Sequence, residues 1–342
     1  MNKITIAVLY GGISPEHEVS VHSAEDVCKV LTKKHRILPI YISKEGDFFL
    51  QQTCGFKKPT DIKVNLKNHS KIISEDGKVE EKIALFFPVL HGPYGEDGKI
   101  QGILESYGCK YIGCGVKSSF MSMDKAISKE IAQGLQILTL EHIEISNNYD
   151  LKDIKQKVER LGYPIFVKPV NLGSSIGISK VKTEKDLESA TKKALKYESR
   201  VILEKGIDNP REIFCALLEK DNGEVVASKC GELLPSKHEF FDYEAKYQDP
   251  RGCIAKTPAD IDYELAEKMQ KFSTKIFASL KCQGFSRVDF LVTDKNEIYF
   301  SEINSIPGMS EKSLFPQLFS ASKISYEDLL NTMVSTALAT KK

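Results

Sequence analysis

The apolar run Ile4–Tyr10 is closed by Gly11-Gly12 and reads as a strand. Arg36–Ile42 and Ile83–Leu90 are further apolar runs of strand length. Helical spacing of apolar residues predicts helices from about Ser20 to Lys33 and from Gly98 to Tyr107. Strands alternating with helices predict a parallel sheet with crossover helices over residues 1–115. From 116 the pattern changes. Helices are expected over Ser119–Gly134, Leu151–Leu161 and Thr183–Lys196. Strands are expected over Ile165–Lys168, Ile178–Val181 and Val201–Glu204, with a Gly/Ser loop between the first two. Beyond 207 come strands Glu212–Leu218 and Val225–Lys229, a polar stretch Pro235–Pro258 and a helix Ile261–Leu280. Two last strands, Phe285–Thr293 and Glu297–Asn304, flank a turn at Asp294-Lys295-Asn296. The pattern gives α/β followed by α+β, in units 1–115, 116–206 and 207–342.

The last hairpin gathers polar residues on one side. Centred between Lys295 and Asn296, it sets Asp289 opposite Glu302 and Arg287 opposite Asn304. Alternation puts these four on one face and turns Val288, Phe290 and Ile303 toward a core. Opposed Cβ atoms lie about 5 Å apart, where two carboxylates repel unless a cation joins them. Two carboxylates, an amide oxygen and a nearby arginine suit Mg²⁺ holding a nucleotide's phosphates. A charged hairpin facing solvent is the plainer reading.

Composition narrows the classes. The 342 residues are 41% apolar and 28% charged, enough for a large buried core in two or three domains. A net charge of +1 gives no field favouring nucleic acid or an acidic membrane. No apolar run reaches membrane-spanning length, and the N-terminal run is too short for a signal peptide. The eight cysteines are dispersed without a Cys-x-x-Cys pair, which excludes zinc and redox motifs and predicts free buried thiols in a reducing cytosol.

Several loops carry candidate chemistry. Lys168-Pro169-Val170-Asn171-Leu172-Gly173-Ser174-Ser175-Ile176-Gly177 joins two short strands. Its small residues let backbone N–H groups approach an anion, and Lys168 adds a charge; it also reads as a plain turn. No Gly-Lys-Ser/Thr opens a helix, so it is not a Walker loop. Gly11-Gly12 lacks the G-x-G-x-x-G of dinucleotide sites, which sets a dehydrogenase aside. Glu16 reads as a ligand for an ammonium group or as a helix N-terminal carboxylate. His91, Glu96 and Asp97 fall in a loop punctuated by Gly92, Gly95 and Gly98, implying close backbone approach. Lys125, among other lysines on a helix, reads by itself as solvated. Lys246 and Tyr247 lie in the aromatic-rich stretch, which is either a lid excluding water or an exposed insertion.

Taken in order, these strings resemble the ATP-grasp superfamily, and within it the D-alanine–D-alanine ligase family. The match runs from Ile4 to about Leu330. It rests on Gly11-Gly12-x-Ser14-x-Glu16-x-Glu18-Val19-Ser20, Leu90-His91-Gly92…Gly95-Glu96-Asp97-Gly98, Ser122-Met123-Asp124-Lys125 and Val167-Lys168-Pro169…Gly173-Ser174-Ser175-x-Gly177. Downstream it rests on Phe241-Asp242-Tyr243-Glu244-Ala245-Lys246-Tyr247, Arg287-x-Asp289 and Glu302-x-Asn304-x-x-Pro307-Gly308-Met309…Ser313-Leu314.

The resemblance implies a three-domain ATP-grasp fold with an N-terminal parallel α/β domain. It also implies ligation of two D-alanines, driven by ATP through an acyl phosphate, for peptidoglycan precursors. Asp289, Glu302 and Asn304 then match ligands of two Mg²⁺ (or Mn²⁺). Lys125, Lys168 and Lys246 match lysines that meet phosphates, with Ser174 and Ser175 in the loop covering them. Glu204, Lys205 and Ile207 fall on the adenine segment, and Glu212 on the ribose acid. Glu16 matches the acceptor of the first D-alanine's ammonium, with His91 beside it. Arg287 and the Gly308 N–H match an oxyanion hole, and Ser313 and Leu314 the stretch holding the second carboxylate. Tyr247 matches a lid tyrosine linked to Ser174 and Glu16. Asn171-Leu172 replaces a frequent charged pair, and Phe241 a frequent tyrosine. The intact lid string favours D-alanine over D-lactate or D-serine as second substrate. An inactive nucleotide-binding module and a carbamate- or biotin-directed enzyme of the same fold stand as competing readings. A cytoplasmic location and a homodimer are the family expectation, without nucleic acid or membrane as partner.

Overall fold

Four β-sheets carry the chain in the computed structural model, which describes residues 3–55, 62–67, 70–235 and 253–340. The first sheet holds β1 (Thr5–Gly11), β2 (Arg36–Ile42), β3 (Phe48–Leu50) and β7 (Leu85–Pro88), ordered β3-β2-β1-β7. Strand β1 runs parallel to β2 and β7, joined to β2 by α1 (His17–Leu31). This is the expected crossover unit, and α2 (Lys99–Ser106) follows it. Ile6, Val8 and Tyr10 pack toward Val21, Ala24 and Val27 of α1; Ala7 and Leu9 pack the other way, toward Ile40 and Leu104. Both faces are buried, which is why the strand reads as a continuous apolar run. A small antiparallel sheet of β4 (Val64–Lys67), β5 (Lys71–Ser74) and β6 (Glu80–Lys82) was not anticipated by the pattern.

The helix expected over Ser119–Gly134 is two helices, α3 (Val116–Met123) and α4 (Lys125–Gly134). Asp124 breaks them with extended backbone, and its carboxylate caps α4 by accepting from Ile127 N at 2.9 Å. Strand β8 (Leu138–Thr139) then pairs parallel to β18 (Ile298–Asn304) in a distant sheet. Residues 116–206 therefore contribute to two sheets. The second of these is antiparallel, ordered β11-β10-β12-β9 from β9 (His142–Ser146), β10 (Ile165–Pro169), β11 (Ser179–Val181) and β12 (Arg200–Lys205). Its apolar side packs on α5 (Leu151–Leu161) and α6 (Glu184–Leu195).

The largest sheet has seven strands in the order β16-β15-β13-β17-β18-β8, with β14 on β13. Its members are β13 (Arg211–Glu219), β14 (Val225–Ala227), β15 (Gly231–Pro235), β16 (Cys253–Lys256), β17 (Phe285–Val292), β18 and β8. One face, with Val288, Phe290, Phe300 and Ile303, packs on α7 (Tyr263–Ser279). The other packs Phe214, Ala216 and Phe285 against α8 (Leu314–Ala321), α9 (Tyr326–Ala339) and residues of α1 in one core. The N-terminal unit is thus fixed to the sheet carrying the hairpin.

Free thiols were expected throughout. Cys28 and Cys54 are instead bonded, with Cα atoms 6.4 Å apart. The β1-α1-β2-β3 fold brings them together across 26 positions, a proximity that spacing alone cannot show. Cys109, Cys114, Cys215, Cys230 and Cys282 are free and buried. Among the described residues no helix is long and apolar enough to cross a membrane.

Candidate active site

Strands β17 and β18 pair Arg287 with Asn304, Val288 with Ile303 and Asp289 with Glu302, as expected. The route to that register differs. Nearer the turn Phe290 pairs with Phe300 and Val292 with Ile298, so the turn is centred on Lys295. Asn296 takes the left-handed backbone there, at φ 61°. The register shifts between Asp289 and Phe290, leaving Ser301 as the extra residue of a bulge. A regular ladder from this turn would set Asp289 opposite Ser301 and send Glu302 and Asn304 to the core face. The bulge returns both to the polar face.

Two cations and an amide surround these carboxylates. Arg287 donates from Nε and Nη2 to the two oxygens of Asp289, at 2.7 and 2.6 Å. Asn304 donates to Asp289 Oδ2 at 3.1 Å. The Arg287 guanidinium lies 5.2 Å from the centre of the Phe214 ring. Lys125 Nζ is 3.4 Å from Glu302 Oε2 and donates to Leu172 O at 2.6 Å. The Asp124 break makes Lys125 the first residue of α4 and aims it at this point, so it is not a solvated lysine. Asp124 is itself held by Arg200 at 2.5 Å. Glu96, Ser122, Lys125, Gly173, Glu302 and Asn304 share one cleft.

Lys168 reaches Glu204 Oε2 at 2.5 Å, and Lys129 reaches Glu204 Oε1 at 2.5 Å. Glu204 is 1% exposed, and the two ammonium groups hold its carboxyl down at about 2 despite burial. Lys168 is shifted upward: Glu204 outweighs the burial that opposes its charge. Lys129 was not singled out from the sequence. Its one signal, an i,i+4 spacing from Lys125 on a helix, is ordinary. Lys205 ends β12 with an exposed side chain, Ile207 follows it, and Glu212 lies on β13 opposite Leu291.

Glu16 sits at the start of α1, buried, and its carboxylate accepts from Ser174 Oγ. The Gly/Ser loop therefore touches the N-terminal unit directly. Ser174 and Ser175 both take the left-handed backbone, at φ 51° and 58°. Two serines held there in succession store strain in this loop. A Cβ on Gly92 would lie 2.4 Å from Glu16 Oε2, so any side chain there must displace that carboxylate, and the φ of +71° also favours glycine.

His91 is buried with both ring nitrogens engaged. Nδ1 lies 2.9 Å from Ile306 O, and Nε2 3.0 Å from Ser23 Oγ. Burial pushes it down to about 4, so the ring is neutral. Nδ1–H donates to the carbonyl, and Nε2 accepts from the serine. Ser23 Oγ in turn accepts from Met309 N at 3.2 Å. Glu96 accepts from Gly92 N and Ile306 N, each at 2.9 Å. Burial first, then the charge of Glu16, raises its carboxyl to about 8. His91 and Glu96 thus tether the Ile306–Met309 turn to the N-terminal unit, rather than offering free groups to a ligand. Within that turn, no described residue accepts a hydrogen bond from Gly308 N–H. Ser313 packs against Gly308 and forms the N-cap of α8, with Leu314 as its first residue. Lys246 and Tyr247 lie outside the described residues.

The geometry joins Lys125 and Lys168, a paired-carboxylate hairpin and the buried Glu16 in one site. Residues 5–114 match the family model described as D-ala D-ala ligase N-terminus, and residues 131–335 the one described as D-ala D-ala ligase C-terminus. The D-alanine–D-alanine ligase of Thermoanaerobacter sp. (strain X514) is 41% identical, covering 99% of this chain and 97% of its own. That of Lactococcus lactis subsp. lactis (strain IL1403) is 39% identical, with the same coverage of 99% and 97%. Among solved structures, D-alanyl-alanine synthetase A from Vibrio cholerae superposes with a TM-score of 0.88 at 31% identity, over 99% of this chain and 100% of that one. The VanG D-Ala:D-Ser ligase from Enterococcus faecalis gives 0.87 at 32%, over 98% and 100%. The chain belongs to the D-alanine–D-alanine ligase family and has its ATP-grasp fold.

Proposed function

We propose that this ligase joins two D-alanines in a reaction driven by ATP. The observation that carries the reading is the shared face of Arg287, Asp289, Glu302 and Asn304, with Lys125 closing on Glu302. A carboxylate is a poor electrophile, and phosphorylation gives it a leaving group. Lys125 and Lys168 hold the nucleotide's phosphates, joined by Ser174 and Ser175 of the Gly/Ser loop and by Lys246. Glu204, Lys205 and Ile207 border the adenine, and Glu212 the ribose. Asp289, Glu302 and Asn304 fit Mg²⁺ or Mn²⁺, since they offer hard oxygen donors whose charge Arg287 and Lys125 now offset. Two such ions, when bound, would supply charge neutralisation at the β- and γ-phosphates.

Glu16 takes the ammonium of the first D-alanine, positioned by Ser174 and Tyr247. The second D-alanine places its carboxylate at Ser313 and Leu314; its amine attacks the acyl carbonyl, and the tetrahedral intermediate collapses with breakage of the C–O bond, release of inorganic phosphate and loss of the amine proton. Arg287, once free of Asp289, and the uncommitted Gly308 N–H face the developing oxyanion. A cytoplasmic homodimer fits the use of ATP and the family. The test is ATP-dependent dipeptide formation from D-alanine alone, against D-alanine with D-serine or D-lactate. Absence of D-alanyl-D-alanine in the first arm overturns the reading. Preference for a mixed product moves the chain to D-serine or D-lactate as second substrate.

A further inference from the structure

Lys129 points away from solvent into the nucleotide half of the site, yet the chemistry above does not use it. It is 2% exposed, on α4 four residues after Lys125. Its ammonium meets Glu204 Oε1 at 2.5 Å and Phe300 O at 3.5 Å. Lys168 meets the other oxygen of the same carboxylate. One carboxylate thus lies between two lysines beside the Gly/Ser loop. Without Lys129, the pair Lys168–Glu204 would be neutral, and Glu204 would hold Lys168 alone.

We propose that Lys129 is a positioning residue which neutralises Glu204 and so keeps Lys168 available to the nucleotide's phosphates. The inference rests on the ATP-dependent reading. It assigns Lys129 no contact with nucleotide; it acts through Glu204. An incoming phosphate draws Lys168 off the carboxylate, which Lys129 still satisfies. A buried carboxylate left with one partner would resist that exchange, because an unpaired buried charge is costly.

The test compares affinities for ADP and adenosine in the full chain by calorimetry. Their ratio isolates the phosphate contribution from the fit of the base. In Lys129→Met the preference for ADP over adenosine falls by roughly ten-fold, the loss of about one charge-assisted contact. In Lys129→Met/Glu204→Gln, where cation and anion leave together, the preference returns. Lys129→Arg retains it. An equal loss for both ligands marks a deformed pocket and overturns the proposal, as does an unchanged ratio or a double variant that stays weak. Should Lys129→Met fail to fold, Glu204→Gln alone decides: releasing Lys168 must raise the ADP preference, and no rise refutes the idea. Failure of the wild-type chain to bind ADP strikes the ATP reading instead.

Discussion

Arg287 and Asp289, two residues apart on β17, hold each other through parallel hydrogen bonds of 2.7 and 2.6 Å. This fork joins the group assigned to amide formation to one assigned to the metal. Both oxygens of Asp289 are taken by the guanidinium, and Asn304 adds a third donor to one of them. The site therefore neutralises the Asp289 carboxylate from within. On the proposed reading, freeing Asp289 for a cation and freeing Arg287 for an oxyanion would be one rearrangement.

Arg287→Lys separates the two duties. Lysine is a point charge and cannot reproduce the planar fork. Dipeptide formation should fall ~10²–10³-fold in kcat, the range for loss of one oxyanion donor. ADP affinity should stay at the wild-type value, checked by titration beside steady-state phosphate release. A parallel loss of ADP affinity would place Arg287 on the nucleotide side.

Glu302→Gln keeps the size of the side chain and removes its charge. It replaces an anionic oxygen donor of the proposed metal set with a neutral amide and releases Lys125 from its 3.4 Å contact. Turnover should fall by at least ~100-fold, beyond the ~10–100-fold typical of changes outside the ligand shell. Mn²⁺ binding followed by electron paramagnetic resonance should weaken with it. Mg²⁺-dependent turnover near the wild-type rate would break the metal assignment.

What the sequence revealed of this site depended on distance along the chain. Asp289 and Glu302 are joined by a short hairpin, so alternation from an expected turn centre half a residue too late matched their shared face, which the bulge produces. The same logic missed the bulge at Ser301, although strict alternation puts the apolar Ile298 and Phe300 on the face of Glu302 and Asn304, and their burial in the core marks the slip. Lys125 looked solvated because the Asp124 break was read through as continuous helix. The tether from His91 to Ile306 spans 215 positions, and no local pattern encodes it. Small sheets such as β4-β5-β6 escaped because three- and four-residue strands carry too few alternations to stand out.

Glu96 predicts a pH signature. Its carboxyl rises from the ordinary value of 4.5 to about 8 in the folded protein. The folded state then binds more protons than the unfolded chain between those values. Stability from this group is full below 4.5 and is lost as pH rises toward 8. His91 has the opposite sign: depressed from 6.5 to about 4, it adds stability above 6.5 that is lost as pH falls toward 4. Glu96→Gln cannot ionise, so its Tm relative to wild type should climb steadily from pH 5 to 8. A difference that stays flat across that window would mean Glu96 is ionised in the fold.

Gly92→Ala tests whether the loop after β7 sets the position of Glu16. The added methyl would lie 2.4 Å from Glu16 Oε2 and 2.6 Å from Ser14 Oγ. Gly92 also holds φ +71°, which alanine adopts only with strain. Gly77 separates these effects: it has the same φ of +71°, and an added Cβ there meets nothing within 4 Å. Gly77→Ala should cost about 1–3 kcal/mol of stability, the strain alone, and leave the kinetics alone. Gly92→Ala should cost more and should raise KM for the first D-alanine, because Glu16, proposed to take its ammonium, must move away from Ser174. Chemical denaturation gives the stability difference, and D-alanine titration at saturating ATP gives the KM. Equal behaviour of the two variants would show that Glu16 is free to relax, and that the close approach at Gly92 does not govern substrate binding.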